Sequence, residues 1–530
     1  MSKIKSQYDV VIIGAGHNGL IAASYLSRAG LSVLMLEKND HIGGATYSRK
    51  IFPGINAYIS EYSYLISLLS PKIIKDLGLN FKTSRRKIAS LTPQWRNGNL
   101  NALLLRNNSA KLTQKSFANF TSPSDYKGYR RLRQLESICA GLFWPTLLSP
   151  LPTKKELKSK LKTKDEKLAW EVFVEQPLGN ILEKLLKNDA LRGLVFTDAK
   201  VGVHTYPSDA TLLQNKTFIY HIIGNGTGEW RVPNGGMGAL TRELKRSALS
   251  SAVTIKTQIN VSHISPSRPY SFVEFFENGK KYTVNARFIL SNVAPIVLSK
   301  LINEKFKYDV PNMGSVFKIN MLLRKLPHLK IDGITPQEAF TGTFHLHEGY
   351  DEMIKSYQLT QKKTIPELPP GEMYCHSLTD PSILSPDLEK KGYVTLTLFG
   401  LDMPYTLFIM DHNRIKKEVK SRYLRVINEY LVDPIENCLA RDKNDNPCIE
   451  IKSPIDLEEE IGIPFGNIFH SQLSWPFVEN ENQAYTWGVE TNFDNIFICG
   501  SGARRGGAVS GIPGHNAAMK VLETIGKSVD

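Results

Sequence analysis

Three glycine-rich turns carry the residues whose types and spacing point to chemistry. The first is Gly14-Ala15-Gly16-His17-Asn18-Gly19. Gly14 permits a tight turn, Gly16 lets the backbone come close to a ligand, and Gly19 lets a helix pack closely on a strand. A helix starting at this turn directs its free N–H groups and positive dipole end at whatever lies above it, which suits a pyrophosphate. Glu37 follows eighteen residues after Gly19, with Lys38 beside it. At that distance its carboxylate is placed to accept hydrogen bonds from an adenosine ribose. The second turn, His41-Ile42-Gly43-Gly44-Ala45-Thr46, has a diglycine just past the acid, and the chain can fold back there over the pyrophosphate of a long cofactor. The third, Gly500 to Gly511 (GSGARRGGAVSG), lies at the far end of the chain, ahead of Pro513-Gly514.

These turns need particular elements to hold them. Tyr8 to Ile13 (YDVVII) is a short apolar, β-branched run, the pattern of a buried parallel strand. Leu20 to Ala29 has helical periodicity, and Leu31 to Leu36 is a second buried strand ending at Glu37, so a βαβ unit is complete. Further pieces are expected far along the chain. Gly235-Gly236-Met237-Gly238 opens a helix to about Ser247, and Val253 to Ile255 is a strand. Ile259 to Ile264 alternates like a strand that passes the adenine, with Val261 as its contact, and Ala286 to Leu290 leads into Ser291-Asn292-Val293-Ala294-Pro295. Asn495 to Cys499 is the strand before the third turn. No strand follows its helix, so this segment is expected to complete the first site and not to form a second one for NAD(P). Gly224-Asn225-Gly226-Thr227-Gly228 lacks both helix and strand and reads as a loop between domains.

The N-terminal turn with its diglycine resembles the signature of glutathione-reductase-like FAD enzymes, especially the amine oxidase and phytoene desaturase branch. The wider resemblance is to phytoene desaturase-like flavoproteins, in particular the pyridine nucleotide-disulfide oxidoreductase domain-containing protein 2 family. It rests on VVIIGAGHNGLIAASYLSRAG, IGGA, SYLISLLSPKIIKDLGL (Ser63 to Leu79), Thr197-Asp198-Ala199 and NGGMGAL from Asn234. It continues through SNVAP, Met403 to Leu407, GNIFH (Gly466 to His470) and CGSGARRGGAVSGIPGHNAA from Cys499, and so spans nearly the whole chain. It implies an α/β fold: a discontinuous FAD-binding Rossmann domain (1–84, 231–300, 455–530) with an inserted α+β substrate domain (85–230, 301–454). FAD is the implied cofactor. Gly500, Ser501 and Val509 would approach its ribityl chain, and the last helix N-terminus would stabilise charge on the reduced ring. Two departures stand out. Arg504-Arg505 replaces a common His-Pro pair, and Ser501 stands where many relatives place an aspartate.

The implied activity is dehydrogenation, desaturation or isomerisation of an apolar, isoprenoid- or lipid-like substrate, with electrons passed to oxygen, a quinone or another external acceptor. A flavin amine oxidase is the alternative, and a non-catalytic binding protein on the same scaffold, like the Rab GDP-dissociation inhibitors, is a second. Candidate bases are His204, His221, His470, Glu61, Tyr58 and above all His515, where a helix N-terminus would keep the ring neutral.

Composition bounds the rest. With 42% apolar and 22% charged residues, the 530-residue chain is neither disordered nor fibrous. Its five cysteines form no C-x-x-C pair, which excludes dithiol redox chemistry and fits a reducing compartment. No metal site is expected. A net charge of +15 without a nucleic-acid motif leaves nucleic acid aside. The early strand leaves no room for a leader, so the chain reads as cytoplasmic, although the resemblance places eukaryotic relatives in mitochondria. One segment suggests a membrane surface: the apolar stretch Ile138 to Leu148 precedes Lys154, Lys155, Lys158, Lys160, Lys162, Lys164 and Lys167. Two readings stay open for 138–167: a peripheral membrane contact, or a core helix followed by a solvated loop or helix face.

Overall fold

The computed structural model describes residues 4–304 and 313–527. Gln7–Ile13 pairs in parallel with Val33–Leu36 on one side and Lys280–Ser291 on the other, so its VVII run is covered on every side. Thr254–Lys256 continues the parallel sheet beyond Val33–Leu36, and Ile496–Ile498 lies beside the last residues of Lys280–Ser291. The antiparallel meander Asn260–Ser265, Ser271–Glu277 and Lys280–Ser291 completes seven strands. The helix His17–Arg28 crosses between the first two strands and packs on the final helix, Ile512–Thr524. Pro513 sits in the first turn of that helix, where its missing N–H is harmless, so the helix starts just before the pair expected to precede it.

A second seven-stranded sheet runs in the order Ile449–Lys452, Ser315–Leu323, Val394–Pro404, Gly371–Tyr374, Thr343–Leu346, Ile88–Arg96, Asn99–Arg106. Its second strand, Ser315–Leu323, is buried on both faces. Phe317, Ile319 and Met321 point into a core shared with Tyr423 of the helix His412–Glu429, while Val316 and Lys318 face the opposite side and line a cavity. The same strand pair, through Phe399 on Val394–Pro404, forms one wall of that cavity.

A helical cluster, including Pro123–Phe143, Leu178–Leu185, Asp189–Phe196 and Leu213–Ile222, covers the other side. It is tied to the second sheet by a fully buried ion pair. Lys200 Nζ lies 2.8 Å from an Asp402 carboxylate oxygen and donates to the Thr205 carbonyl at 2.9 Å, and both side chains are 0% exposed.

Of the two readings of 138–167, the fold matches the core helix followed by solvated segments. Cys139, Ala140, Phe143 and Leu147 are buried in the core, where Phe143 packs on Trp170 and Phe477. Thr153 and Thr163 start two short helices with reciprocal caps, and Arg131 pairs with Asp165 at 2.6 Å. The largest apolar groups of the stretch are inside the protein, and the lysines lie on solvated faces of the short helices and the turn between them. Among the described residues no helix is long and apolar enough to cross a membrane.

Candidate active site

The three turns meet at the carboxyl ends of the parallel strands, where ligands bind in open α/β sheets. Gly14 N–H bonds the Leu36 carbonyl at 2.7 Å and Gly43 N–H bonds the Ala15 carbonyl at 2.9 Å, which brings the diglycine over the first turn. Glu37 accepts from the backbone N–H groups of Ala15 (2.7 Å) and Asn39 (2.9 Å), and these hold its carboxylate at the strand tip. Lys38 is exposed beside it, against Gly462. Val261 is half-buried two residues beyond Ile259, whose N–H bonds the Glu37 carbonyl.

Asn292 decides why glycine is needed in this cradle. Its amide nitrogen donates to the Gly14 carbonyl at 3.2 Å. A Cβ on Gly16 would lie 2.9 Å from that amide, and one on Gly500 would lie 2.7 Å from the Asn292 carbonyl. The opening helix has no side-chain cap, so its first N–H groups are free. Asn18 Oδ1 and His17 Nε2 are buried without a hydrogen-bond partner. Bare backbone, open donors and unsatisfied buried polar atoms together fit a phosphate-bearing cofactor.

Ala45, His17, Ser501, Ala508 and Val509 then open onto a cavity of about 660 Å³. Its walls are largely hydrocarbon, with Leu65, Leu105, Leu194, Val195, Val316, Phe399 and Ile463 among them. Into this lining project several buried polar groups. Lys318 donates to the carbonyls of Ser60 (2.6 Å) and Tyr62 (3.0 Å), with its nitrogen 5.0 Å from the Tyr64 ring centre. Burial pulls its ammonium down to about 7, against the opposing pull of Glu450 and Glu61. The Tyr64 ring also packs, tilted, against those of Tyr374 (4.8 Å) and Phe399 (5.8 Å). Tyr374 donates to Glu372, and burial together with Glu348 pushes the Glu372 carboxyl up to about 8. His345, Glu348 and Glu372 form a buried cluster in which His345 bonds Glu348 and Thr197 donates to Glu348 at 2.6 Å.

The candidate bases separate. His470 lines the cavity beside His17, and burial lowers both rings to about 4. His221 lines it too, with Nδ1 3.0 Å from the Thr217 carbonyl. Glu61 is there but committed: burial pushes its carboxyl up, and the Arg49 guanidinium at 2.5 Å and Lys452 outweigh this and keep it ionised. His204 packs on Tyr357 and bonds Thr360, away from the cavity lining. Tyr58 is 43% exposed under Lys50. His515 is corrected: its ring is buried between Tyr25 and Trp487 and bonds Asn516 at 2.9 Å, so it braces the last helix instead of facing the cavity. Arg504-Arg505 is also structural. Arg505, 1% exposed, donates to the carbonyls of Leu147, Ser149, Pro150 and Pro476.

Lys318, Glu372, Tyr374 and Arg86 escaped the motif reading. For Lys318 and Glu372 the signal was a charged residue inside an otherwise apolar strand, as in SVFKINMLL and GEMY, since such residues are buried only when something uses or pairs them; Arg86, in a basic stretch ahead of its strand, carried no such mark.

The profile of the NAD(P)-binding Rossmann-like domain matches residues 12–71. An uncharacterized protein of Mycobacterium tuberculosis is 39% identical over 529 residues, covering 98% of each chain. The pyridine nucleotide-disulfide oxidoreductase domain-containing protein 2 of Mus musculus is 28% identical over 575 residues, covering 99% of this chain and 94% of the relative. A 4,4'-diapolycopene oxygenase of a Methylomonas species is 24% identical over 67% of this chain and 70% of its own. Among solved structures, cyclohexylamine oxidase from Brevibacterium oxydans superposes with a TM-score of 0.58 at 14% identity, over 98% of this chain and 100% of that one, a likeness of fold. Full-length kinship on this scale, joined to a folded cradle for a phosphate-bearing cofactor, means that the chain is a phytoene desaturase-like FAD-dependent oxidoreductase, similar over its full length to pyridine nucleotide-disulfide oxidoreductase domain-containing protein 2.

Proposed function

We propose that the chain dehydrogenates, desaturates or isomerises a largely apolar substrate and passes the electrons to oxygen, a quinone or another external acceptor. The observation that carries this reading is the 660 Å³ cavity, whose hydrocarbon walls run up to the residues of the cofactor turns. Gly14, Ala15, Gly16, His17, Asn18, Gly19, Glu37, Gly43 and Gly44 would hold the adenosine and pyrophosphate, with Ser501 and Val509 toward the ring. Bound FAD supplies the two-electron acceptor. Lys318 supplies a proton acceptor: a neutral amine has two N–H bonds, both engaged by Ser60 and Tyr62, which leaves its lone pair free.

A flavin amine oxidase is the second reading, favoured by the Tyr64, Tyr374 and Phe399 rings on one wall. The buried Arg86 guanidinium in the same wall opposes an ammonium substrate. The test is an absorption spectrum of the purified protein followed by anaerobic bleaching with polyenes, fatty acyl compounds and amines. Bleaching by polyenes or acyl compounds supports the reading, and bleaching by amines alone overturns it. A flavin-free protein from a flavin-replete host would favour a binding protein instead.

A further inference from the structure

Four arginines line the cavity, and three of them have carboxylate partners. Arg85 pairs with Glu229 at 2.7 Å, Arg106 with Glu338 at 2.9 Å, and Arg133 with Glu136. Arg86, just before the strand Ile88–Arg96, has no carboxylate within 4.0 Å among the described residues. It is 8% exposed. Its one side-chain hydrogen bond among these residues runs from Nη1 to Thr343 Oγ1 at 3.0 Å, and its Nε is buried with no partner. The guanidinium lies 5.9 Å from the centre of the Tyr374 ring.

A buried charge with unmet donors is expensive unless something else meets them. This fold knows how to satisfy a buried arginine: Arg505 is caged by four carbonyl oxygens. Arg86 has no such cage. The acids that act on it make no ion pair with it: Glu372 accepts from Tyr374, sits beside Glu348 and keeps its proton up to about 8, and Glu229 is paired with Arg85. What faces Arg86 is the cavity.

We propose that Arg86 is an oxyanion subsite and that the substrate is an amphiphile whose carboxylate seats on its guanidinium while its hydrocarbon lies along Leu105, Leu194, Val195 and Phe399. The assignment rests on reading this cavity as the substrate site. A guanidinium presents a planar fork that matches the two coplanar oxygens of a carboxylate, and the bond to Thr343 fixes the plane of that fork. The aromatic and aliphatic wall then places the chain of the ligand, not its head, toward the turns at Ala45 and Val509.

The test uses the FAD-loaded protein with three ten-carbon probes, decanoate, decanol and decylamine, with binding followed by calorimetry and by the shift of the flavin spectrum. Decanoate is expected to bind roughly tenfold or more tighter than decanol, as a charge-assisted bond predicts, with decylamine weakest. Arg86→Gln should weaken decanoate by roughly thirtyfold or more and leave decanol within about twofold, with Arg86→Lys between the two. Thr343→Val, which keeps the charge and removes only the orienting bond, should weaken decanoate by several-fold and serves if Arg86→Gln does not fold. Equal binding of decanoate and decanol, tighter binding of decylamine, or an unchanged decanoate-to-decanol ratio in the folded variants overturns the proposal. Calorimetry needs no turnover. A decanoate preference that depends on Arg86, in a protein that no polyene or acyl compound bleaches, would keep the subsite and remove the proposed activity.

Discussion

Replacing Lys318 by methionine turns the charge state of a buried amine into a measurable pH dependence of folding. The amine lies in a strand with both faces covered, and burial lowers it from the usual 10.5 to about 7. Between those values the unfolded chain carries a proton that the folded protein lacks, so wild-type stability rises with pH by up to about 1.4 kcal/mol per pH unit. The burial penalty is full below pH 7, about 5 kcal/mol at that slope, and vanishes only above the unfolded value. From pH 7 to pH 9, with the amine half-protonated at the start, the wild type should gain about 2 kcal/mol relative to Lys318→Met. The assay is reversible urea unfolding of both FAD-loaded proteins at pH 6, 7, 8 and 9, read as the difference between them, so that other titrating groups cancel. A difference that stays flat, or that moves against the wild type as pH rises, refutes a neutral Lys318. In turnover, the variant should lose the rate increase that the wild type shows as pH passes through about 7.

Other outcomes follow from the same geometry. Glu372 has the opposite sign: its folded value, about 8, lies above the usual carboxylate value, so its contribution is full below about pH 4.5 and is lost as pH rises toward 8. Glu372→Gln should therefore gain stability relative to wild type over that window in the same unfolding experiment. Gly19→Val places a Cβ 2.7 Å from the Gly14 carbonyl and beside Asn292, and the purified variant should lose its flavin absorbance. Asp402→Ala leaves the Lys200 charge buried and unpaired, which should cost about 3–5 kcal/mol in urea unfolding, and the double variant Lys200→Met, Asp402→Leu should recover most of it.

The cofactor cradle was legible because most of it is local. From Tyr8 to Thr46 the strand, glycine turn, helix, second strand, acid and diglycine follow one another within reach of ordinary backbone geometry, and periodicity and glycine spacing report them directly. The distant turn at Gly500 carried the same kind of local mark. Asn292, which fills the space against Gly14, Gly16, Gly19 and Gly500, carried none, because its role exists only once three segments converge. The stretch from Ile138 to Leu148 shows the limit from the other side. An apolar run beside lysines looks alike whether it meets lipid or a core, and only the packing of Phe143 on Trp170 and Phe477 decides. His515 was visible as a residue at a helix start, but the face of the helix it occupies was not, and that face turns to Tyr25.

The sequence by itself determined the βαβ cradle for a dinucleotide, because that depends on short-range spacing, and its resemblance to known flavoproteins supplied the wider fold class and FAD. Only the tertiary structure decided what the cavity can hold. Arg86, Lys318 and Glu372 come from segments far apart in the chain, and whether a charged side chain is solvated, paired or left facing a cavity depends on neighbours that the spacing of residues does not name.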